Sequence, residues 1–166
     1  MDNLKLFKMT ENQLPFWKTR GLSEMTREQW ESLCDGCGRC CLEKLEDMKT
    51  GKIRYTNVAC ELMDIDTCRC KAYENRTELV PDCHTLTADN IHKFRWLPRT
   101  CAYRLLFEGK DLAWWHPLVS GNADTVHEAG ISVRGKIISG EFIHPDDLEN
   151  YIVNWKIWRR KAGTEE

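Results

Sequence analysis

Long apolar runs are absent from the 166 residues, and no stretch approaches the roughly 20 apolar residues that a membrane-spanning helix requires. An excess of either charge is also absent, because 24 Lys and Arg stand against 26 Asp and Glu. No overall field therefore draws the protein to nucleic acid or to an anionic membrane. Internal repeats and low-complexity tracts are missing too, which favours one domain over residues 1–166.

The N-terminal segment lacks the unbroken apolar stretch of a signal peptide, because Asp2, Lys5 and Lys8 interrupt it. This pattern predicts a cytoplasmic protein. Nine cysteines are unusual in such a chain, since the reducing cytosol disfavours disulfides. The odd number also leaves one thiol over in any full pairing. Metal ligation is therefore favoured over a disulfide framework.

Four of the cysteines form the pattern C-x-x-C-x-x-C-C at Cys34, Cys37, Cys40 and Cys41. Thiolates are soft ligands that favour zinc, copper(I) and iron–sulfur clusters over calcium and magnesium. The C-x-x-C spacing suits tetrahedral zinc, and three cysteines at this spacing also hold three corners of an iron–sulfur cube. The spacing alone leaves both metals open.

Adjacent cysteines are awkward ligands for one small ion, because successive side chains point in different directions. Cys40 and Cys41 are therefore expected to face two metals or one polynuclear centre. Two four-ligand sites need eight groups, and one site with spare thiols stays an alternative. The candidate ligands are the nine cysteines, with His84 in reserve: Cys34, Cys37, Cys40, Cys41, Cys60, Cys68, Cys70, Cys83 and Cys101. Cys101, beside Ala102 and Leu105, fits a buried core thiol as well as a ligand.

The cysteine pattern resembles that of the zinc- or iron-chelating cysteine-cluster proteins of the YkgJ type. The resemblance is carried by residues 34–41, by a later cysteine at Cys60, by Cys70 shortly before Tyr73, and by a last cysteine at Cys83. It implies that these seven cysteines are metal ligands, whereas Cys68 and Cys101 lie outside the general pattern. Segments 96–101 and 114–121 further resemble the bacterial YcgN group of this family, whose function is uncharacterised. A similar cluster in flagellin lysine methylases is thought to hold iron and sulfur, which favours iron–sulfur slightly over zinc.

Capping signals and alternating patterns predict short secondary-structure elements along the chain. A capping box from Thr26 to Gln29 predicts a helix over 27–33, which leads into the cysteine-rich region 34–101. A strand over 52–58 is expected as one arm of a hairpin, and a second hairpin is expected to join 131–133 to 136–138. Helices are predicted from Ala88 to about Leu97 and over 99–108, with a loop over 118–124.

The C-terminal segment predicts an amphipathic helix over 146–161. Pro145 suits its first turn, and Leu148, Ile152, Trp155 and Trp158 fall on one face. The basic residues 159–161 would complement the negative end of the helix. Together the elements predict a small α+β domain of short helices and short hairpins, organised around a cysteine-ligated metal centre.

Two further groups of residues have a functional and a plain interpretation. Trp114 and Trp115 with His116, Asp124 and His127 would suit a small-molecule site, but an aromatic loop packed over the core is favoured. The aromatic and basic residues over 155–161 resemble a nucleic-acid groove. A packed helix with a solvated basic end is favoured there.

The sequence therefore predicts a metal-binding protein whose biological process it does not name. Two alternatives stay open: an iron–sulfur redox or radical enzyme, which needs a vacant coordination position, and a zinc-ordered module that binds protein or nucleic acid. Nothing in the sequence names a protein partner or a substrate.

Overall fold

Short helices and a small mixed sheet make up the fold in the computed structural model, which describes residues 14–155. The strands are β1 (Leu42–Glu46), β2 (Ile53–Ala59), β3 (Met63–Asp64), β4 (Arg69–Cys70) and β5 (Ile138–Ser139). The α-helices are α1 (Phe16–Thr19), α2 (Arg27–Glu31), α3 (Arg76–Leu79), α4 (Ala102–Phe107), α5 (Pro117–Ser120) and α6 (Thr125–Glu128). Turns of 3₁₀-helix cover Leu22–Glu24, Arg39–Cys41, Tyr73–Asn75, Ile91–Lys93, Gly140–Phe142 and Pro145–Tyr151.

Strands β1 and β2 form an antiparallel hairpin, which confirms the predicted strand over 52–58. Glu46 pairs with Ile53, and Leu42 pairs with Ala59 at the other end, with an irregularity between Leu42 and Lys44. The connecting turn is stabilised by Asp47, whose Oδ1 accepts hydrogen bonds from the backbone amides of residues 49 and 50. The hairpin carries the chain away from the cysteine loop at residue 42 and returns it to Cys60.

The second predicted hairpin, 131–133 with 136–138, is wrong. Strand β5 instead pairs in parallel with β2, so that Ile138 lies opposite Val58. Residues 131–133 form no strand, and the Val133 amide donates to the Cys37 carbonyl at 2.9 Å. Ile131 and Val133 are fully buried, so their alternation with Ser132 reflects burial against the cysteine loop rather than a sheet face.

The predicted helices form where their caps agree with the packing. Thr26 caps α2 as expected, since its Oγ1 accepts from the Gln29 amide at 3.2 Å. The helix predicted over 99–108 is shorter, as α4, and Gly109 follows it at φ +69°. The helix predicted from Ala88 is reduced to the 3₁₀ turn at 91–93, where the Asn90 side chain bonds the Thr87 amide at 2.7 Å. The predicted loop over 118–124 contains part of α5.

The continuous α-helix predicted over 146–161 is not confirmed, and the described part differs from it. A 3₁₀-helix covers Pro145–Tyr151, after which Ile152 is extended and bridges to Thr56. The Val153 amide then donates to the Tyr55 carbonyl at 2.9 Å. The segment thus satisfies its backbone by lying along β2, which a helix would prevent. Trp155 packs on the body as predicted, whereas Trp158 and residues 159–161 lie outside the described residues.

Three buried apolar clusters surround the cysteine loop. The largest contains Leu33, Leu97 and Tyr103 and supports the start of the loop. A second contains Leu42, Met63 and Val133, and the third contains Cys37 with residues 126 and 131. The loop is therefore fixed by packing on several sides. No helix among residues 14–155 is long and apolar enough to cross a membrane.

Candidate metal centre

The first four cysteines lie on a tight loop between α2 and β1. Asp35 shapes it, because its Oδ1 accepts a hydrogen bond from the Cys37 amide at 3.0 Å. Gly36 and Gly38 adopt φ values of +74° and +75°, a left-handed conformation that glycine accepts readily. At Gly38 a Cβ atom would lie 2.6 Å from the Met63 Cε atom. The loop backbone therefore approaches the core too closely for any side chain at this position.

Buried polar contacts fix both ends of this loop. The Arg39 Nε atom donates to the Ile131 carbonyl at 2.7 Å. His116, only 2% exposed, accepts from the Leu118 amide at Nδ1, so its Nε2 carries the proton and donates to the Leu33 carbonyl at 3.0 Å. Both ring nitrogens of His116 are thus engaged with the backbone. His116 therefore agrees with the interpretation that the loop around Trp114 and Trp115 packs over the core.

Cys34, Cys37, Cys40 and Cys101 influence one another electrostatically, and we call them the first set. Burial of the Cys34 thiol raises its pKa to about 11, and nearby Cys40 and Asp35 add to the shift, although the residue as a whole is exposed. Burial and then Asp35 and Cys40 raise the pKa of Cys37 well above its usual range. Burial raises the pKa of Cys101 to about 12. Cys40 adds to this shift, and a hydrogen bond from the Arg104 amide opposes it. Cys101 precedes the first residue of α4 and packs against the same apolar cluster as Cys40.

Cys60, Cys70 and Cys83 influence one another electrostatically, and with Cys41 we call them the second set. The Cys60 amide donates to the Cys41 carbonyl at 2.8 Å. Burial raises the pKa of Cys60, and the charges of Cys83 and Cys70 add to this effect. The pKa of Cys83 is raised by burial and by Cys70 and Cys40, against the opposing charge of Arg76. The hairpin therefore returns the chain from Cys41 to Cys60, and the β3–β4 pair holds Cys70 opposite Met63.

Cys40 and Cys41 join the two sets. Their sulfur atoms are 3.8 Å apart. The contact with Cys41, followed by burial, raises the pKa of Cys40 well above its usual range. Lys44 lies beside both, and its Nζ donates to the Cys40 and Leu42 carbonyls at 2.7 and 2.6 Å. Its ammonium also lies 4.6 Å from the centre of the Trp96 ring, so a cation flanks the junction of the sets.

Cys68 belongs to the apolar core beside the cysteine loop, since its Cβ atom would lie 3.3 Å from a Cβ atom at Gly38. It is 5% exposed, has φ +58°, and packs in the apolar cluster of Leu42, Met63 and Val133. Burial raises its pKa, and the charges that oppose this shift belong to Arg134 and Arg69. His84 is also used elsewhere, because its ring stacks 5.1 Å from that of Phe94.

The chemistry of the two sets fits a soft metal, since eight thiols with few competing oxygens favour zinc or iron–sulfur. The Asp35 carboxylate is the exception within the loop: it is 5% exposed, and its Oδ2 has no hydrogen-bond partner among the described residues. As their side chains stand, no three His, Cys, Asp or Glu residues within 14–155 converge on one ion position. Ligation of one ion by three of these residues would therefore require side chains to rotate from these conformations.

Asp35 and Lys44 were not predicted as parts of the site. The sequence signal for Asp35 was its position as an acidic residue directly after Cys34. Lys44 reaches the junction of the two sets only because β1, which contains it, starts directly after Cys41. The alternative site at His116, Asp124 and His127 gains little support. The His127 Nδ1 atom lies 2.7 Å from the Ser132 hydroxyl, and burial followed by Arg134 lowers the pKa of His127.

Comparison with known proteins gives the family of the chain. It is 58% identical over 155 residues to a UPF0260 protein of Rhizobium etli (strain CIAT 652), covering 93% of this chain and 98% of the relative. It is 55% identical over 159 residues to a UPF0260 protein of Agrobacterium fabrum, covering 95% and 98%. The chain belongs to the UPF0260 family. No solved structure matches this UPF0260 protein.

A family model with the description "CxxCxxCC: Putative zinc- or iron-chelating domain" matches residues 33–102. This range contains all nine cysteines of the UPF0260 protein. The match suggests metal chelation and leaves open whether the metal is zinc or iron. The finer assignment to the YcgN group stays a prediction.

Proposed function

We propose that this UPF0260 protein binds metal through eight thiolates in the two adjoining sets. Cys34, Cys37, Cys40 and Cys101 are the ligands of the first set, and the second set contains Cys41, Cys60, Cys70 and Cys83. The observation that carries this proposal is the 3.8 Å contact between the sulfur atoms of Cys40 and Cys41, one from each set. Cys68 is assigned to the apolar core.

An iron–sulfur form is favoured over zinc. Two adjoining sets that share a sulfur contact suit a polynuclear centre, and the cluster is similar to one in flagellin lysine methylases. When bound, such a cluster supplies one-electron chemistry, while the protein holds it and limits access of solvent. The second candidate is a pair of structural zinc ions, favoured by the division of the thiols into four and four.

Binding of either metal is expected to release protons. Burial raises the pKa of most of these thiols, so that they are neutral near pH 7 without metal. Only the thiolate form ligates, and each ligand therefore loses its proton on binding. The nine cysteines are all free thiols in the structure, which agrees with the proposed cytoplasmic location.

Anaerobic purification followed by the ultraviolet-visible spectrum and elemental analysis of one sample tests the proposal. Broad visible absorption with stoichiometric iron and sulfide supports the iron–sulfur form, and a colourless protein with about two zinc ions supports the second candidate. A protein that contains no metal, and takes up none when supplied with zinc or with iron and sulfide, contradicts both forms.

Cys37→Ala and Cys68→Ala provide a matched pair of variants, since both thiols are buried. We expect Cys37→Ala to lose metal together with more stability than the about 0.5–3 kcal/mol of an ordinary substitution. Cys68→Ala should keep the metal content of the parent protein and lose only packing energy. Full metal content in Cys37→Ala, or metal loss in Cys68→Ala, would show that the ligand sets are wrong.

A further inference from the structure

A groove of about 500 Å³ opens between β2, the extended segment 152–155 and the turn at residues 98 and 99. Four of its lining residues are cations, namely Arg39, Lys52, Arg54 and Arg99, and none is an acid. The aromatic side chains of Tyr55 and Trp155 also line it. Its volume lies within the range of roughly 300–1,000 Å³ that is common for small-molecule sites.

Arg39 forms the floor of the groove and is the most unusual of these cations. It is 4% exposed, and its guanidinium carbon lies 5.8 Å from the centre of the Trp155 ring. Within residues 14–155 the one hydrogen bond of its side chain joins Nε to the Ile131 carbonyl at 2.7 Å, and no carboxylate of these residues lies within 4.0 Å of it. Burial lowers its pKa, against the opposing effect of Cys37 and Asp35. Because Arg39 lines the groove, its guanidinium can donate hydrogen bonds to an anion bound there.

The other three cations stand exposed at the rim. Lys52 and Arg54 come from β2 and the residue before it, and Arg99 follows Pro98. None of them forms an ion pair with a carboxylate within residues 14–155. Asp47 interacts with this rim, because its pKa is lowered by hydrogen bonds from Thr50 and, to a smaller extent, by the charge of Arg54. The local charge of the groove is therefore positive, although the whole chain carries a net charge of −2.

We propose that this groove binds a small molecule that bears phosphate, with Arg39, Arg54 and Arg99 holding the phosphate oxygens. A guanidinium donates in a planar fork that matches phosphate geometry, which suits arginine better than lysine to this task. The rings of Tyr55 and Trp155 offer a flat apolar surface for the rest of the ligand. The Tyr55 hydroxyl donates to the Trp96 carbonyl, and the Trp155 Nε1 atom donates to the Thr56 carbonyl at 3.3 Å, so both rings are held in place.

The groove also adjoins the proposed metal centre. Arg39 stands between Cys37 and Cys40 in the chain, and the same residue lines the groove and anchors the cysteine loop. A ligand held by Arg39 would therefore contact the loop that carries the first set. This ligand site goes beyond the proposed metal binding and stands on the cations of the groove, whichever metal the protein holds.

Isothermal titration calorimetry of the full-length, metal-replete protein with ADP, inorganic pyrophosphate and adenosine tests the site. We expect ADP and pyrophosphate to bind with one site per chain, and adenosine to bind at least about tenfold more weakly, because it lacks the charge-assisted hydrogen bonds of phosphate. Arg99→Gln and Arg54→Gln should each weaken ADP binding about tenfold. Arg95→Gln, which removes an exposed arginine outside the groove, should leave the affinity unchanged.

The same variants show what would overturn the proposal. Absence of heat with both ADP and pyrophosphate, or equal weakening by Arg95→Gln and Arg99→Gln, refutes a phosphate site in the groove. If single-stranded RNA binds more tightly as its length increases, and ADP does not bind, the groove is a nucleic-acid surface instead of a phosphate site. Metal content measured in each variant separates the two proposals, since weakened ADP binding at full metal content concerns the groove alone. Arg39→Lys keeps the charge but loses the fork, so it should also weaken ADP binding.

Discussion

Replacing Gly38 by alanine probes how closely the cysteine loop packs on the core. Gly38 has φ +75°, and a Cβ atom there would lie 2.6 Å from the Met63 Cε atom and 2.7 Å from the Val133 Cγ2 atom. Real Cβ atoms essentially never approach other atoms so closely. Alanine at this position therefore suffers from both its backbone conformation and its surroundings.

The two costs have known sizes. A left-handed conformation costs an L-residue roughly 1–2 kcal/mol. Forcing an extra methyl group into a packed core costs about 1–3 kcal/mol more. Part of this is relieved if the flexible Met63 side chain moves, but Val133 is fully buried and cannot. The Gly38→Ala protein should thus lose about 2–5 kcal/mol of unfolding free energy.

Gly130→Ala is the matched control, because Gly130 has φ +70° and nothing lies within 4 Å of its Cβ position. Its unfolding free energy should fall only by the backbone cost of about 1–2 kcal/mol. Urea unfolding followed by circular dichroism, on metal-replete samples of both variants, measures the difference. Equal losses in the two variants would refute the close contact of the loop with Met63 and Val133.

Two further predictions concern groups outside the ligand sets. The Tyr103 hydroxyl donates to the Trp30 carbonyl at 3.0 Å, so Tyr103→Phe should cost about 0.5–1.5 kcal/mol in urea unfolding, and an unchanged midpoint would contradict the bond. Hydrogen bonds from Lys110 and Arg104 hold the pKa of Glu108 at about 2, below the usual 4.5. Its stabilisation is therefore complete above about pH 4.5 and lost as the pH falls towards 2. The stability difference between the parent protein and Glu108→Gln should shrink from pH 6 to pH 3, and a constant difference would contradict it.

Local capping signals were the part of the fold that the sequence could predict. Thr26 and Gln29 satisfy each other's backbone within three residues, so the start of α2 depends on no distant contact. The hairpin arm over 52–58 was predictable for a similar reason, since its β-branched residues and the turn at Gly51 are adjacent in the chain. Both features are determined by residues that are neighbours in the sequence, so the sequence alone predicts them.

Elements decided by distant partners were not predictable. Residues 131–133 alternate like a strand, yet they pack against the Cys37 segment, which lies more than ninety positions earlier. The segment after Tyr151 has helical spacing of apolar residues, but its backbone bonds to Tyr55 and Thr56 instead. Periodicity reports which side chains are buried, and the same residues can be buried without forming the regular element.

Cys68 and Cys101 mark the limit of what spacing says about the candidate site. Both lie outside the general cysteine pattern. The neighbours of each in the sequence are compatible with a buried core thiol and with a metal ligand. Cys101 and Cys40 pack against one apolar cluster, because residues of α4 share that cluster with Leu33. Cys68 adjoins Cys70, a member of the second set, but its left-handed backbone turns its side chain into the cluster with Val133 instead. The proposed ligand sets thus depend on how the apolar clusters orient each segment, and a cysteine two residues from a proposed ligand can still pack in the core.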